Sequence, residues 1–184
     1  IAHHFAGLCV NFKQGENLMR KFAFVNDSQM DIGTEALKAL HSSGIATTGR
    51  VIRLPKRATK GSAGYDIVCP ATITLKPGQE SKIPTFIKVY LNQGEFLAIF
   101  PRSGLGFKYY CRLANSVGIV DEDFAYSDND GHIWVKIRNE GDKDMTIRAG
   151  EAMAQGIILP FLMVDGDSYD NGEVRNGGFG STSK

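Results

Sequence analysis

Asp121 is the side chain in this sequence best placed to act on water. It follows the apolar run Asn115-Ser-Val-Gly118-Ile-Val120 and opens the acidic stretch Asp121-Glu-Asp-Phe124. A strand that stops at a carboxylate presents it beside a loop, where it can take a proton from water. Phe124 and Tyr126 add flat faces for a sugar or a base. Asn115 carries the donor and acceptor of an amide, which suits a base edge such as uracil's. The opposing reading is an acidic hairpin loop in which Asp121, Glu122, Asp123, Asp128 and Asp130 are simply solvated.

Four further stretches stand out, three of them with residue types that suit phosphate. Pro101-Arg102-Ser103-Gly104-Leu-Gly106-Phe-Lys108 follows an apolar run with a cation, a hydroxyl and two glycines. The Arg102 fork, Ser103 Oγ and the backbone N–H groups through Gly104 can converge on phosphate oxygens. The spacing GxxxxGK[ST] is absent, so this is no P-loop, and a Gly-rich β-turn is expected. Asp66 enters a strand after Gly61-Ser-Ala-Gly64-Tyr65. Gln155 interrupts an apolar run and needs partners if buried, either in the protein or on a ligand. The C-terminal Glu173 to Lys184 sets Arg175 and Phe179 among Gly177, Gly178 and Gly180, then adds Ser181-Thr182-Ser183. Such a segment is an ordinary flexible tail, or an arm that folds over a ligand. In the second case the ring stacks on a base while arginine and hydroxyls take phosphate.

Rigid elements must hold these groups. Residues 22–25 read as a strand. One short helix is expected over about 33–42, capped by Thr34, with Leu37 and Leu40 on one face and Ser42-Ser43-Gly44 at its end. After residue 50 only strands are expected. Ile73 and Leu75, then Ile87, Val89 and Leu91, then Ile133, Val135 and Ile137 alternate with polar neighbours. Many short strands separated by Gly/Pro turns indicate an all-β sandwich or barrel.

Bulk properties narrow the class. The 184 residues suffice for one domain, and 42% hydrophobic with 22% charged residues is ordinary globular composition. The net charge of +1 gives no general attraction to nucleic acid or membranes. The basic residues Arg50, Arg53, Lys56, Arg57 and Lys60 read as a solvated strand edge rather than a nucleic-acid site. Cys9, Cys69 and Cys111 are odd in number and lack CxxC spacing, which favours reduced thiols in a cytoplasmic setting and no zinc site. The apolar runs are too short to cross a bilayer. Residues 1–18 lack the features of a secretory signal, and MRKFAFV from Met19 opens like a first strand. The expected division is a leader over 1–18, a domain over 19–172 and a mobile arm over 173–184.

In chain order, AGYD, PRSGLG, NSVGIVDEDF, AMAQ and RNGGFGSTS resemble the five motifs of the trimeric dUTP diphosphatases (dUTPases), over about residues 61–183. The resemblance implies a distorted jelly-roll (β-clip) fold and a homotrimer whose active sites are shared between subunits. It implies Mg²⁺-dependent hydrolysis of dUTP to dUMP and pyrophosphate by water attack on the α-phosphorus. By that likeness Asp121 activates water, and Arg102, Ser103, Gly104 and Gln155 contact the phosphates. Asp66 meets the metal indirectly, through water, or supports the site. Asn115 with the backbone at Gly118 and Val120 reads uracil. Phe124 packs on the deoxyribose, with Tyr126 as its substitute. Phe179 and Gly180 cover the base, and Arg175, Ser181 and Thr182 hold the γ-phosphate.

Three departures stand out. Phe124 replaces a usual tyrosine, the 125–131 loop is longer than the usual tight hairpin, and Ala152 stands where arginine is common. A dCTP deaminase of the same superfamily is the nearest rival, but Ile133 to Arg138 offers no glutamate for proton shuttling. Residues 26–49 lie outside the family core and are the place to seek a separate binding role.

Overall fold

The computed structural model describes residues 20–47 and 49–167. In chain order these form β1 (Lys21–Phe24), α1 (Asp27–Ser42), β2 (Lys56–Arg57), β3 (Tyr65–Val68), β4 (Ile73–Leu75), β5 (Glu80–Pro84) and β6 (Ile87–Tyr90). There follow β7 (Glu95–Pro101), α2 (Ser103–Tyr109), β8 (Cys111–Leu113), β9 (Gly118–Val120), a 3-10 turn (Phe124–Tyr126), β10 (Trp134–Asn139), β11 (Met145–Ile147) and β12 (Ala152–Pro160). The strands order as β2-β3-β12-β7-β9, β5-β10-β8, β1-β6 and β11-β4. Every pairing is antiparallel. The expected all-β architecture is what the chain forms.

Period-two alternation builds the core. On β10, Val135 and Ile137 are buried while Lys136 and Arg138 face water. Ile87 and Val89 of β6, Ile73 and Leu75 of β4, and Met145 and Ile147 of β11 point into the same cluster. Each such side chain, fully buried, contributes roughly 1.5–3 kcal/mol. β7 is flanked by β12 on one side and β9 on the other, and Leu97, Ala98 and Ile99 are buried in succession. Cys69 and Cys111 are free, buried thiols, and burial pushes them up to about 12 and about 11.

Both helices depart from expectation. α1 begins seven residues before Thr34, because Asn26 caps it: Asn26 Oδ1 accepts from the Gln29 N–H at 3.0 Å. Thr34 lies inside the helix, its hydroxyl donating to the Met30 carbonyl at 2.7 Å. Gly33, inside α1, serves close packing. A Cβ there would stand 2.5 Å from Cε1 of Phe86. The expected end does hold, with Ser43 as C-cap and Gly44 at φ +75°. The stretch after Arg102 is a helix rather than a turn. Gly104 and Gly106 depress its local propensity, but Leu105 and Tyr109 pack against the core and hold it. Tyr110, at φ 52°, ends it.

Candidate functional site

The five-stranded sheet gathers one group of the sequence-selected residues at a single end. Gln155 of β12 stands opposite Asp66 of β3, and Ala154 stands opposite Pro101 at the end of β7. Arg102, the next residue, reaches back to Asp66 with a 2.7 Å ion pair. Gln155 Nε2 donates to the Pro101 carbonyl at 3.2 Å. A Cβ on Gly64 would lie 2.7 Å from Gln155 Oε1, so the glycine makes room for the amide. Ser103 and Gly104 are exposed in the first turn of α2, where helix N–H groups have no partner earlier in the helix. Three motifs thus meet: a carboxylate, a guanidinium, an amide and a hydroxyl on neighbouring strand ends.

A second group forms around the hairpin. Asn115, Gly118 and Val120 line one cavity of about 330 Å³ together with Lys82, Trp134 and Lys136. Lys82 holds its ammonium 4.9 Å from the centre of the Trp134 ring. Val120 is buried, Asn115 is exposed, and Asp121 at the strand end is half-buried. Of the two rings expected to face a ligand, Phe124 is 5% exposed and belongs to the core. Tyr126 is 78% exposed and meets Tyr90 edge-on at 5.9 Å.

Asp121 and Arg102, one from each group, stand apart within one chain. Val120 stands opposite Leu97 in the antiparallel β7–β9 pair, so Asp121 lies level with Phe96. Arg102 follows Pro101 at the other end of β7. From Phe96 to Arg102 is six residues, about 20 Å of strand.

Sequence reasoning missed two features near Asp121. Glu95, at the start of β7, is 7% exposed and takes Arg20 Nε at 2.7 and 2.8 Å. Burial opposes its charge, but the Arg20 and Asn92 contacts outweigh burial and hold the carboxyl below its ordinary range. A glutamate leading an apolar strand was the available signal. Glu122, next to Asp121, accepts from the Gly94 N–H. The second feature is the loop to β10. There Asp130 binds Lys88 Nζ at 2.6 Å, and fully buried His132 accepts at Nε2 from the Phe86 N–H at 3.1 Å. No local pattern marks either residue.

The basic stretch is largely spent on structure. Arg50 lies over the Phe86 ring at 4.9 Å, Arg53 donates to the Gly150 carbonyl, and Arg57 donates to the Lys60 carbonyl. Among the described residues no three His, Cys, Asp or Glu side chains gather as a metal site. No helix among them is long and apolar enough to cross a membrane. Arg175, Phe179, Gly180, Ser181 and Thr182 lie outside the described residues, as do Cys9 and the expected leader.

Fold and site together define an all-β jelly-roll protein with its polar groups collected at strand ends. A dUTPase family model matches residues 50–183. The deoxyuridine 5'-triphosphate nucleotidohydrolase of Lactococcus lactis is 44% identical over 132 residues, 71% of this chain and 88% of the relative. That of Hahella chejuensis is 40% identical over 140 residues, 73% of this chain and 89% of the relative. The solved dUTPase of Streptococcus mutans superposes with a TM-score of 0.57 at 36% identity, covering 66% of this chain and 97% of that one. A Staphylococcus aureus phage dUTPase superposes at 0.57 with 18% identity, over 81% of this chain and 94% of its own, a likeness of fold. The chain belongs to the dUTPase family. Its β1–α1 segment precedes the matched residues.

Proposed function

We propose that this protein hydrolyses dUTP to dUMP and pyrophosphate, by water attack on the α-phosphorus, in sites shared between copies of the chain. The observation that carries the reading is the cavity edged by Asn115, Gly118 and Val120, on the strand that ends at Asp121. There the Asn115 amide and the strand's backbone can meet the uracil edge. Cytosine's amino group would face a donor, and a site built on hydrogen bonds rejects that mismatch strongly. Asp121 accepts the proton of the attacking water. Tyr126 offers the outward ring beside the sugar, with Phe124 as the packed wall behind it.

Phosphate contacts come from the other end of β7, in a second copy. Arg102, Ser103, Gly104 and Gln155 supply a fork, a hydroxyl, backbone and an amide where negative charge accumulates. In-line displacement needs these groups and the base around one phosphate chain. The separation of about 20 Å within a chain therefore supports a closed oligomer, and the family resemblance specifies a trimer. Arg175, Phe179, Gly180, Ser181 and Thr182 are assigned to closure over the bound nucleotide, on sequence grounds.

A hard cation suits this donor set through the substrate. With no three-carboxylate cage among the described residues, Mg²⁺ would rest on phosphate oxygens, with Asp66 as its water-mediated neighbour. It supplies charge neutralisation on the triphosphate. The test is pyrophosphate release from dUTP, dCTP, dTTP and UTP with Mg²⁺. Release from dUTP far above the others supports the reading. Ammonia release from dCTP would replace it with deamination.

A further inference from the structure

The β1–α1 segment lies ahead of the family match, yet its polar contacts converge on the loop that follows Asp121. The Asn26 N–H donates to Asp130 Oδ2 at 2.7 Å. The other carboxylate oxygen of Asp130 holds Lys88 Nζ at 2.6 Å, on the strand that β1 pairs with. Lys88 and Asp130 side chains are only 12% and 19% exposed. Three residues into α1, Gln29 Oε1 meets His132 Nδ1 at 3.2 Å. Because His132 Nε2 accepts from Phe86, the ring proton sits on Nδ1 and is donated to Gln29. Phe86 itself is buried against Gly33 of α1. Helix, loop and the β5–β6 corner thus form one polar unit, buried at Gln29 and His132.

The loop passes this hold onward through backbone. Gly131, at φ 65°, lies so close to the 3-10 turn that a Cβ would stand 2.6 Å from Ala125 Cα and 3.0 Å from the Phe124 carbonyl. The Asp130 N–H donates to the Ser127 carbonyl at 2.8 Å, and the Ser127 hydroxyl donates to the Phe124 carbonyl at 2.7 Å. A shift of Asp130 or His132 therefore moves the turn that carries Phe124 and Tyr126. Tyr126 also rests on Tyr90, whose ring takes the Lys21 ammonium of β1 at 5.1 Å.

We propose that the β1–α1 segment braces the loop after Asp121 through Asp130 and His132, and so sets how tightly the enzyme holds the sugar and base of its nucleotide. Asp130 and His132 are positioning residues in this scheme. The proposal rests on the dUTP reading of the same loop.

Asp130→Asn isolates the charge, since asparagine tolerates the φ of 53° found there. Lys88→Met breaks the same pair from the other side. Each variant is assayed for pyrophosphate release from dUTP at a temperature where its melting curve shows it folded. The expected result is a KM about fivefold higher with kcat within twofold. The double variant should add little to Lys88→Met, which loses the pair together with the contact of Lys88 to the Tyr90 ring at 5.3 Å. Unchanged KM in both folded variants overturns the brace. Hydrogen exchange reads it without substrate: amides of residues 124–132 should exchange about tenfold faster in Asp130→Asn, and equal rates also overturn it. Wild-type protein that releases no pyrophosphate from dUTP refutes the activity instead, and the exchange result then decides the brace by itself.

Discussion

Asp121 and Arg102 belong to opposite ends of one stretch of sheet: Asp121 lies level with Phe96, and Arg102 follows Pro101 on the same strand β7. If Asp121 activates water and Arg102 binds phosphate, as proposed, a separation of about 20 Å prevents them from serving one phosphorus atom from a single chain. On the proposed reading, each chain therefore contributes Asp121 to one site and Arg102 to another.

Mixing experiments test this directly. Asp121→Asn removes the base and keeps the shape, so nucleotide binding persists while turnover falls at least about a hundredfold. Arg102→Ala loses phosphate contacts and falls comparably. Co-assembled from equal amounts of the two inactive chains, about a quarter of the sites pair an intact Asp121 with an intact Arg102. Activity near a quarter of wild type is expected on co-refolding. A mixture as inactive as its components would place both residues of a working site in one chain.

The C-terminal arm invites a complementary test. Among the described residues the buried core cluster runs from Ala46 to Ala154. Ending the chain after Glu173 removes Arg175, Phe179, Gly180, Ser181 and Thr182 and leaves every residue of that cluster in place. Turnover of dUTP should fall about a hundredfold or more as water exclusion and phosphate contacts are lost. The melting temperature should stay within a degree or two of wild type, and a large fall would show that the arm supports the core instead.

Gly33→Ala opposes two effects of known sign. Alanine gains about 1 kcal/mol of helix propensity over glycine. Its methyl, however, would stand 2.5 Å from the ring of Phe86, which is fully buried. Overpacking of that kind costs about 1–3 kcal/mol. A net fall of a few degrees in melting temperature is expected, and a rise would mean that α1 shifts freely on the core.

The sequence made the strands legible where one face is buried. β6 and β10 alternate so strictly that Ile87, Val89, Val135 and Ile137 could be assigned to the core outright. Gln155 was also legible, as a polar residue breaking an apolar run. α2 was not, because Gly104 and Gly106 argue locally against a helix that tertiary contacts at Leu105 and Tyr109 sustain. The start of α1 was not legible either, because Thr34 reads as the cap that Asn26 supplies. The contacts of Asp130, which also reads as a solvated loop acid, and of His132 were invisible for a different reason. Their partners Asn26 and Gln29 are more than 100 residues away, and no periodicity encodes such a pairing.

His132 gives the protein an acid limit. Burial pushes its pKa down to about 4, with Asp130 opposing that shift and Lys82 adding to it. The unfolded chain's histidine titrates near 6.5, so the unfolded state takes up this proton first as pH falls. The contribution is fully present above about pH 6.5 and is lost between there and about pH 4, a span worth roughly 3 kcal/mol. Below about pH 4 both states carry the proton and this slope vanishes. Urea unfolding followed from pH 7 to pH 4.5 should show that decline. His132→Asn, less stable at neutral pH through its lost contacts to Phe86 and Gln29, should show a shallower one. An equal slope in the two proteins would mean that His132 binds its proton as readily folded as unfolded.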